Sequence, residues 1–309
     1  MKKIALTLFA VCSLLLGACG MPAAQNSTAD QGWATITDDN GRTVTFDAKP
    51  QRIVVTSASF IAPLYAVGGE VVGRPATKSK VIPAAEGAAT IGPVYQIDAE
   101  KILALSPDLV IINKGMNEKL IETLAANNIQ TLVIEMKSYE DVKREVTTFA
   151  ALTGEKAKGE ELIAKMDADI DAVRASIPQE KKRISIIHST GQGLSVQLDG
   201  SIAGSIAKML GWENTASGMP ALDKNPDAAP YSMETLVAQN PDIIFVTSMG
   251  EEAEIRASME AMFAGSPAWQ SVSAVRDGRV YYLPQELFLF SPGIQYPEAV
   301  KYMARLIYP

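Results

Sequence analysis

Histidine and cysteine are almost absent from this chain of 309 residues, which has one histidine, His188, and two cysteines. Zinc sites of the His₃ and Cys₂His₂ types need several imidazoles or thiolates, so the composition excludes them. Aromatic residues make up only 6% of the chain, whereas there are 12 methionines. A binding pocket would therefore be lined by methionine, tyrosine and phenylalanine rather than by histidine.

Positive charge is also scarce, because 28 Lys and Arg residues face 35 Asp and Glu residues and the formal net charge is −7. Proteins that bind nucleic acids usually carry a basic surface, so we expect no nucleic-acid partner. The 47% hydrophobic and 20% charged residues are typical of a globular protein. The length allows about two domains of ~150 residues each.

The N-terminus has the pattern of an export signal. Lys2 and Lys3 precede an apolar run at 4–16, which is too short to span a bilayer but suits the core of a signal peptide. The run ends in Leu16-Gly17-Ala18-Cys19, which resembles the bacterial lipobox, where cleavage leaves a lipid-modified cysteine at the new N-terminus. Ordinary signal-peptidase cleavage, which also favours small residues, is the alternative.

We therefore predict a signal peptide at 1–18, lipidation of Cys19 and a flexible tether of small and polar residues at 19–32. Cys12 lies within the segment that would be removed, so no disulfide is expected. The body of the protein would be lipid-anchored to the cell membrane on its exported side, either at the extracellular face or in the periplasm.

Strand-like and helix-like segments alternate after the tether. A hairpin is predicted at 34–46, because Asn40-Gly41 is a strong turn signal between alternating residues. Strands are predicted at 53–56, 71–73, 109–112, 131–135, 184–188, 243–247 and 279–283. Helices are predicted at 99–105, 117–127, 139–152, 202–210, 232–239, 251–263 and 296–307. Short apolar strands separated by helices are typical of βαβ units with largely parallel sheets.

An internal repeat indicates two equivalent lobes. Residues 97–112 and 231–246 both have a helical segment, a Pro-Asp turn and an apolar strand; a common α/β pattern arising twice is the alternative. Between the copies, 155–177 has apolar residues at helical spacing and Pro178 ends it. We predict an α/β fold with two Rossmann-like lobes, at 33–154 and 179–309, with mainly parallel sheets joined by one long connecting helix at 155–178.

Several stretches carry a family resemblance. Residues 37–44, 50–54, 199–214 and 277–281, with the lipobox and the two-lobed pattern, resemble the class III periplasmic-binding-protein family. Its members feed iron-siderophore, haem and cobalamin ABC importers. Within it, residues 73–77, 92–95, 241–244, 249–250 and 296–299 are similar to the haem-receptor lipoproteins of the iron-regulated surface determinant system.

The resemblance implies a monomeric, non-enzymatic substrate-binding protein of an ABC importer. It would capture an iron chelate, above all haem, and deliver it to a permease dimer with its ATPase. A siderophore of the ferric hydroxamate type or a corrinoid is the alternative ligand. An enzyme is disfavoured because the sequence has no Gly-x-Ser-x-Gly elbow and no complete dinucleotide fingerprint. A passive surface adhesin would not require the two-lobed repeat.

The resemblance also implies iron ligands. In the haem receptors, the loop matching 92–95 supplies an axial methionine and the loop after the strand at 243–247 supplies an axial histidine. This sequence has Tyr95 and Met249 at those places. A phenolate is a hard ligand suited to Fe³⁺, and a thioether would be the weaker sixth ligand. The alternatives are a stacking role for Tyr95 and a lining or hinge role for Met249.

Four other candidate ligand contacts follow predicted strands, because α/β sheets bind ligands beyond the carboxyl ends of their strands. They are Thr56, Ser57, Ser59 and Lys114. Tyr231, Phe288 and Phe290 are further candidates, and the two phenylalanines could form the wall of a macrocycle pocket in a chain that is otherwise poor in aromatic residues. Helix capping is the alternative for the hydroxyl groups, and core packing is the alternative for the two phenylalanines. His188 ends a strand and is expected to be hydrogen-bonded in the core or at the rim.

Two glutamates are candidates for contact with the permease. In the cobalamin-type members of the family, one acidic residue on each lobe docks onto arginines of the transmembrane dimer. The matching positions are Glu100 and Glu234, in the same place of the two repeats. Both lie in the first turn of a predicted helix, where the helix dipole alone would favour a carboxylate.

Overall fold

The chain enters its folded body through a β-hairpin. The computed structural model describes residues 32–77, 81–190, 193–249 and 252–309. Strands β1 (Ala34–Thr37) and β2 (Thr43–Phe46) pair antiparallel, which confirms the predicted hairpin. The carboxylate of Asp38 closes the turn, because it accepts the backbone N–H of Arg42 at 2.9 Å and the guanidinium of Arg42 at 2.6 Å. Hydrogen bonds within the turn thus stabilise the hairpin at the end that faces the first sheet.

The first sheet is parallel throughout, with the strand order β5-β4-β3-β6-β7. Its strands are β3 (Ile53–Val55), β4 (Val71–Ala76), β5 (Ala89–Pro93), β6 (Leu109–Asn113) and β7 (Gln130–Ile134). The central strands are continuous apolar runs because both of their faces are covered. All four predicted strands of this half are confirmed, and β5 is an addition.

Four helices accompany this sheet; the first three connect its strands, and the fourth follows β7 and leads to the next helix. They are α1 (Ile61–Ala66), α2 (Ala99–Ala104), α3 (Leu120–Ala126) and α4 (Tyr139–Thr153). The predicted helix at 117–127 begins three residues late, because Asn117 is buried in a loop where its amide donates to the carbonyl of Val94 at 2.9 Å. Ser138 begins α4 with a capping box, and Gly154, at φ 79°, ends it.

The predicted connecting helix is α5 (Lys156–Ser176), which begins one residue later and ends two residues earlier than the predicted segment 155–178. Its 21 residues give a length of about 32 Å. Gly159 allows α5 to approach α4 closely, because a Cβ atom there would lie 2.6 Å from the Cβ of Ala150. Met166 and Ile170 face the core from α5.

The second sheet is mixed, with the strand order β11-β9-β8-β12-β13 and β10 beside β8. Its strands are β8 (Arg183–Thr190), β9 (Gly193–Gln197), β10 (Glu213–Asn214), β11 (Ala228–Pro230), β12 (Ile243–Ser248) and β13 (Val280–Tyr282). The pairs β8–β12, β12–β13 and β8–β10 are parallel, whereas β9 runs antiparallel to β8 and to β11. The three predicted strands are therefore confirmed, and an antiparallel edge is added.

Seven helices accompany the second sheet in the described ranges. They are α6 (Ile202–Met209), α7 (Met233–Gln239), α8 (Glu252–Phe263), α9 (Pro267–Ser271), α10 (Ser273–Arg276), α11 (Gln285–Phe288) and α12 (Tyr296–Ile307). The predicted helices correspond to α6, α7, α8 and α12, although residue 251 of the third prediction lies outside the described residues. The three short helices were not predicted.

The two repeats fold as equivalent units. Helix α2 leads into β6, which lies beside β3, and α7 leads into β12, which lies beside β8. One cluster of buried side chains runs along α4, α5 and α12 and contacts one face of each sheet, while the opposite face of each sheet has a cluster of its own. The fold is therefore α/β, with two lobes joined by the long helix α5.

Candidate functional site

The predicted site residues follow strands whose carboxyl ends meet at one edge of each sheet. In the first sheet, Ser57, Tyr95 and Lys114 follow β3, β5 and β6. In the second sheet, Met249 follows β12 directly, and His188 lies near the end of the neighbouring strand β8. This is the edge at which open α/β sheets bind ligands.

Large apolar side chains are exposed at these strand ends. Tyr95 is 76% exposed and Met249 is 66% exposed. Met116, three residues after β6, is 48% exposed, and Phe290 is 40% exposed. Phe290 follows α11 rather than a strand. Exposed apolar side chains at a binding edge are candidates for contact with a ligand or a partner. Met116 was missed by sequence reasoning, although its position after a strand end was the available signal.

The segment that follows α11 lies beside the first sheet. A Cβ atom on Gly293 would lie 3.5 Å from the carbonyl oxygen of Ser59 and 3.8 Å from the sulfur of Met136. Ser59 belongs to the loop after β3, and Met136 belongs to the loop after β7. The second lobe therefore contacts the carboxyl edge of the first lobe, close to Phe290 in the sequence.

The ammonium group of Lys114 is already paired. It donates to the carbonyl oxygen of Asp39 at 2.9 Å, and it lies 3.3 Å from the carboxylate of Glu135. Its side chain is nevertheless about one third exposed. Lys114 can therefore meet a ligand at the strand end, but its charge is largely balanced by the protein.

The structure corrects two of the predicted ligand contacts. Thr56 is fully buried, and its hydroxyl accepts the backbone N–H of Asn113 at 2.8 Å, so it braces β3 against β6. Phe288 is 1% exposed and packs 6.0 Å from the ring of Tyr302, so it is a core residue. Thr56 directly follows β3, whereas Phe288 is the last residue of α11, and each side chain points into the protein.

The remaining predicted contacts are half-buried. The hydroxyl of Ser57 caps a short 3₁₀ turn by accepting the N–H of Ser59 at 3.3 Å. The ring of Tyr231 packs 6.2 Å from Phe263, and burial raises the pKa of its phenol to about 12. A ligand contact through Ser57, Ser59 and Tyr231 stays a prediction.

His188 is tied to the neighbouring strand. Its Nδ1 atom lies 3.1 Å from the hydroxyl oxygen of Thr247 on β12. Burial lowers the pKa of this imidazole below its ordinary value, so the ring is neutral at pH 7. It lies near Met249 in the sheet, on the strand beside β12.

The two predicted docking glutamates occupy matching places. Glu100 lies in the first turn of α2, where Asp98 caps the helix, and Glu234 lies in the first turn of α7, where Ser232 is the cap. Both carboxylates are exposed. Because α2 follows β5 and α7 follows β11, each begins at the edge of its lobe that carries the strand ends described above.

The predictions for the N-terminus concern residues that the structure does not describe. The signal peptide at 1–18, Cys19 and the tether up to residue 31 lie outside the described residues. Within the described ranges, no helix combines the length and the apolar character needed to cross a bilayer. Over the same ranges, no three or more His, Cys, Asp and Glu side chains come together in a group that could hold a metal ion.

Two bacterial relatives match almost the whole chain. The iron(3+)-hydroxamate-binding protein FhuD of Bacillus subtilis is 28% identical, over 95% of this chain and 94% of that protein. The Fe(3+)-citrate-binding protein YfmC of the same organism is 25% identical, over 96% of each chain.

Solved structures show the same fold. An ABC transporter substrate-binding protein from Listeria monocytogenes has a TM-score of 0.74 at 23% identity, over 84% of this chain and 99% of that chain. S. aureus IsdE complexed with heme has a TM-score of 0.72 at 20% identity, with the same two coverages.

A family model described as "Periplasmic binding protein" matches residues 53–287. The chain therefore belongs to the periplasmic binding protein family, whose members are non-enzymatic substrate-binding components of transport systems.

Proposed function

We propose that this protein is the extracytoplasmic substrate-binding lipoprotein of an ABC importer of an iron chelate, and that the chelate is haem. Lipid on Cys19 would hold it at the exported side of the cell membrane, and the tether up to residue 32 would link it to the body. The lobes at 33–154 and 179–309 would enclose the ligand, with the helix segment 155–178 between them.

The exposure of Tyr95 and Met249 carries this proposal. Each is a large side chain left open to solvent at a strand end, one on each lobe. Exposing such groups gives up the free energy of burying them, about 1.5–3 kcal/mol for a methionine-sized side chain, so a ligand that covers both is favoured. Met116 and Phe290 extend the apolar surface.

Haem suits these groups chemically. The phenol oxygen of Tyr95 would be a hard ligand for Fe³⁺, and the thioether of Met249 would be a weaker ligand on the other face. The apolar faces of the macrocycle would cover Met116 and Phe290. One carboxylate of the haem would meet Lys114, whose side chain is about one third exposed.

A ferric hydroxamate siderophore is the second candidate. The hydroxyls of Ser57 and Ser59 and the half-buried phenol of Tyr231 would suit its carbonyl oxygens, and the pairing of Lys114 with Glu135 would suit a ligand of low charge. The 28% identity to the hydroxamate-binding relative supports this candidate.

Delivery would use Glu100 and Glu234. Two exposed carboxylates in equivalent places suit a permease with two-fold symmetry, because each half of the permease offers the same basic pocket. Docking at these positions would bring the strand ends of both lobes toward the membrane. The ATPase of the importer would act on the permease.

Binding of two probes to the purified protein tests the proposal. Hemin is titrated and followed by its Soret band, and ferrioxamine B, a ferric hydroxamate, is followed by quenching of tryptophan fluorescence. A shifted Soret band with saturable binding supports haem. Binding of ferrioxamine B alone would replace haem by the second candidate, and binding of neither probe would overturn both.

A further inference from the structure

One ion pair joins the two lobes in the described parts of the chain. The ammonium group of Lys137, three residues after β7, lies 2.9 Å from a carboxylate oxygen of Asp227, which directly precedes β11. The other described ion pairs each lie within one lobe or involve α5. Lys137 belongs to the carboxyl edge of the first sheet, at which the candidate ligand residues lie.

Asp227 is fixed within the second lobe. Its N–H donates to the side chain of Asn225 at 3.1 Å, and its carbonyl accepts the N–H of Leu198 at 2.9 Å. Its carboxylate lies against Gly200, where a Cβ atom would be only 2.5 Å away. Contacts within the second lobe therefore fix the backbone of Asp227, and its carboxylate fits beside Gly200, which has no side chain.

Lys137 is connected in turn to the candidate site. Its ammonium group also lies 3.2 Å from Glu135, and the other oxygen of Glu135 lies 3.3 Å from the ammonium group of Lys114. Opposite charges thus alternate from Asp227 through Lys137 and Glu135 to Lys114. Burial lowers the pKa of Lys137, but hydrogen bonds and attraction from Asp227 and Glu135 outweigh it and raise that pKa, so the group stays charged.

We propose that Lys137 and Asp227 are positioning residues for ligand capture, which hold the two lobes together around the bound chelate and slow its release. This inference rests on the proposed function. A contact of 2.9 Å between two lobes breaks as soon as the lobes separate, so the pair favours the closed arrangement. Its side chains are 46% and 24% exposed, so water and salt weaken it and the effect is modest.

Dissociation rates of hemin and ferrioxamine B test this pair, measured by stopped flow on K137M, D227N and the double variant. We expect each single variant to release the bound probe about two- to fivefold faster, the range that partly exposed ion pairs give. The double variant should release it no faster than either single variant, because both changes remove the same contact. K137R should behave like the wild type.

K165M is the matched control, because Lys165 pairs with Asp169 within α5, and this ion pair does not link one lobe to the other. It should leave the release rate unchanged, and the thermal midpoints of all variants should stay close to that of the wild type. Release rates equal to the wild type in K137M and D227N would overturn the inference, as would additive effects or a loss of thermal stability in proportion to the faster release. Failure of the wild type to bind either probe would instead overturn the proposed function.

Discussion

Asp108 binds Arg52 through two hydrogen bonds that tie a loop to the central strand of the first sheet. Its carboxylate accepts the backbone N–H of Arg52 at 2.9 Å, and its own N–H donates to the carbonyl of Arg52 at 3.1 Å. Asp242 makes the same two bonds, at 2.9 and 2.8 Å, with Arg183, the first residue of the central strand β8 of the second sheet. The Pro-Asp turn of the internal repeat therefore has a structural cause in both lobes.

Removal of these carboxylates should cost stability unequally. The side chain of Asp108 also accepts the N–H of Gln51 at 2.6 Å, whereas Asp242 has a single described backbone donor. We expect Asp108→Ala to lower the free energy of unfolding by about 2 kcal/mol and Asp242→Ala by about 1 kcal/mol. Urea unfolding of both variants measures this difference, with Asp171→Ala on the exposed face of α5 as the control. Equal losses at both sites would contradict the assignment.

Sequence reasoning predicted the strands with continuous apolar runs, such as β6 and β12, because burial on both faces leaves an unambiguous pattern. It missed β9, which begins at Gly193 and is mostly half-exposed. It also missed β5, whose sequence Ala-Thr-Ile-Gly-Pro has few strand-forming residues. Such elements form because their neighbours offer hydrogen bonds, which no local pattern records.

The candidate site was predictable only as an edge of each sheet. The rule of strand ends indicated Tyr95 and Met249, which are indeed exposed, but it could not decide which loop side chains turn inward. Thr56 turns inward because its hydroxyl accepts the backbone N–H of Asn113. Phe288, in α11, turns inward because its ring packs against the ring of Tyr302. A pair such as Lys137 and Asp227 depends on how the lobes pack, and residues so far apart carry no signal in a single sequence.

Glu145 should make stability depend on pH. It is buried in α4, and neither of its carboxyl oxygens has a described hydrogen-bond partner. Burial raises its pKa well above the ordinary value, and the carboxylates of Asp39 and Asp141 raise it further. Glu145 lines a small cavity together with Thr37, Asp38, Asp39, Ile134, Arg144 and Thr148.

The folded protein therefore holds a proton on Glu145 that the unfolded chain releases above a pKa of about 4.3. The contribution of this proton to the free energy of unfolding is complete below that pH. It is lost as the pH rises toward the pKa that Glu145 has in the folded protein. Relative to Glu145→Gln, the wild type should lose up to about 1.4 kcal/mol per pH unit in this window. Urea unfolding of both proteins at several pH values checks the slope, and parallel curves would contradict a buried neutral acid.

Tyr95→Phe should weaken hemin binding by about tenfold or more, equivalent to about 1.4 kcal/mol, and remove the spectral shift. The change keeps the ring and deletes the oxygen, so stacking survives whereas ligation does not. Met249→Ala should weaken binding less, by about two- to threefold, because a thioether is a poor ligand for Fe³⁺. Tyr308→Phe, at the end of the last helix, is the control for loss of a phenol. An unchanged spectrum and affinity in Tyr95→Phe would leave Tyr95 only a stacking role.

Replacement of both Glu100 and Glu234 by arginine should abolish uptake without affecting ligand binding. Each carboxylate is exposed in the first turn of its helix, so the substitutions disturb little packing and should cost at most about 1 kcal/mol each through the helix dipole. Arginine in both places would face the basic pockets expected of the permease, and like charges desolvated on docking repel strongly. Transport of the radiolabelled chelate into cells is measured beside binding by the purified variant.

The control replaces Glu160 and Glu161, two exposed glutamates of α5, by arginine, which makes the same change in net charge far from the strand ends. Normal uptake by the Glu100/Glu234 variant would exclude these glutamates from docking, whereas loss of ligand binding would assign them to the pocket or to the fold.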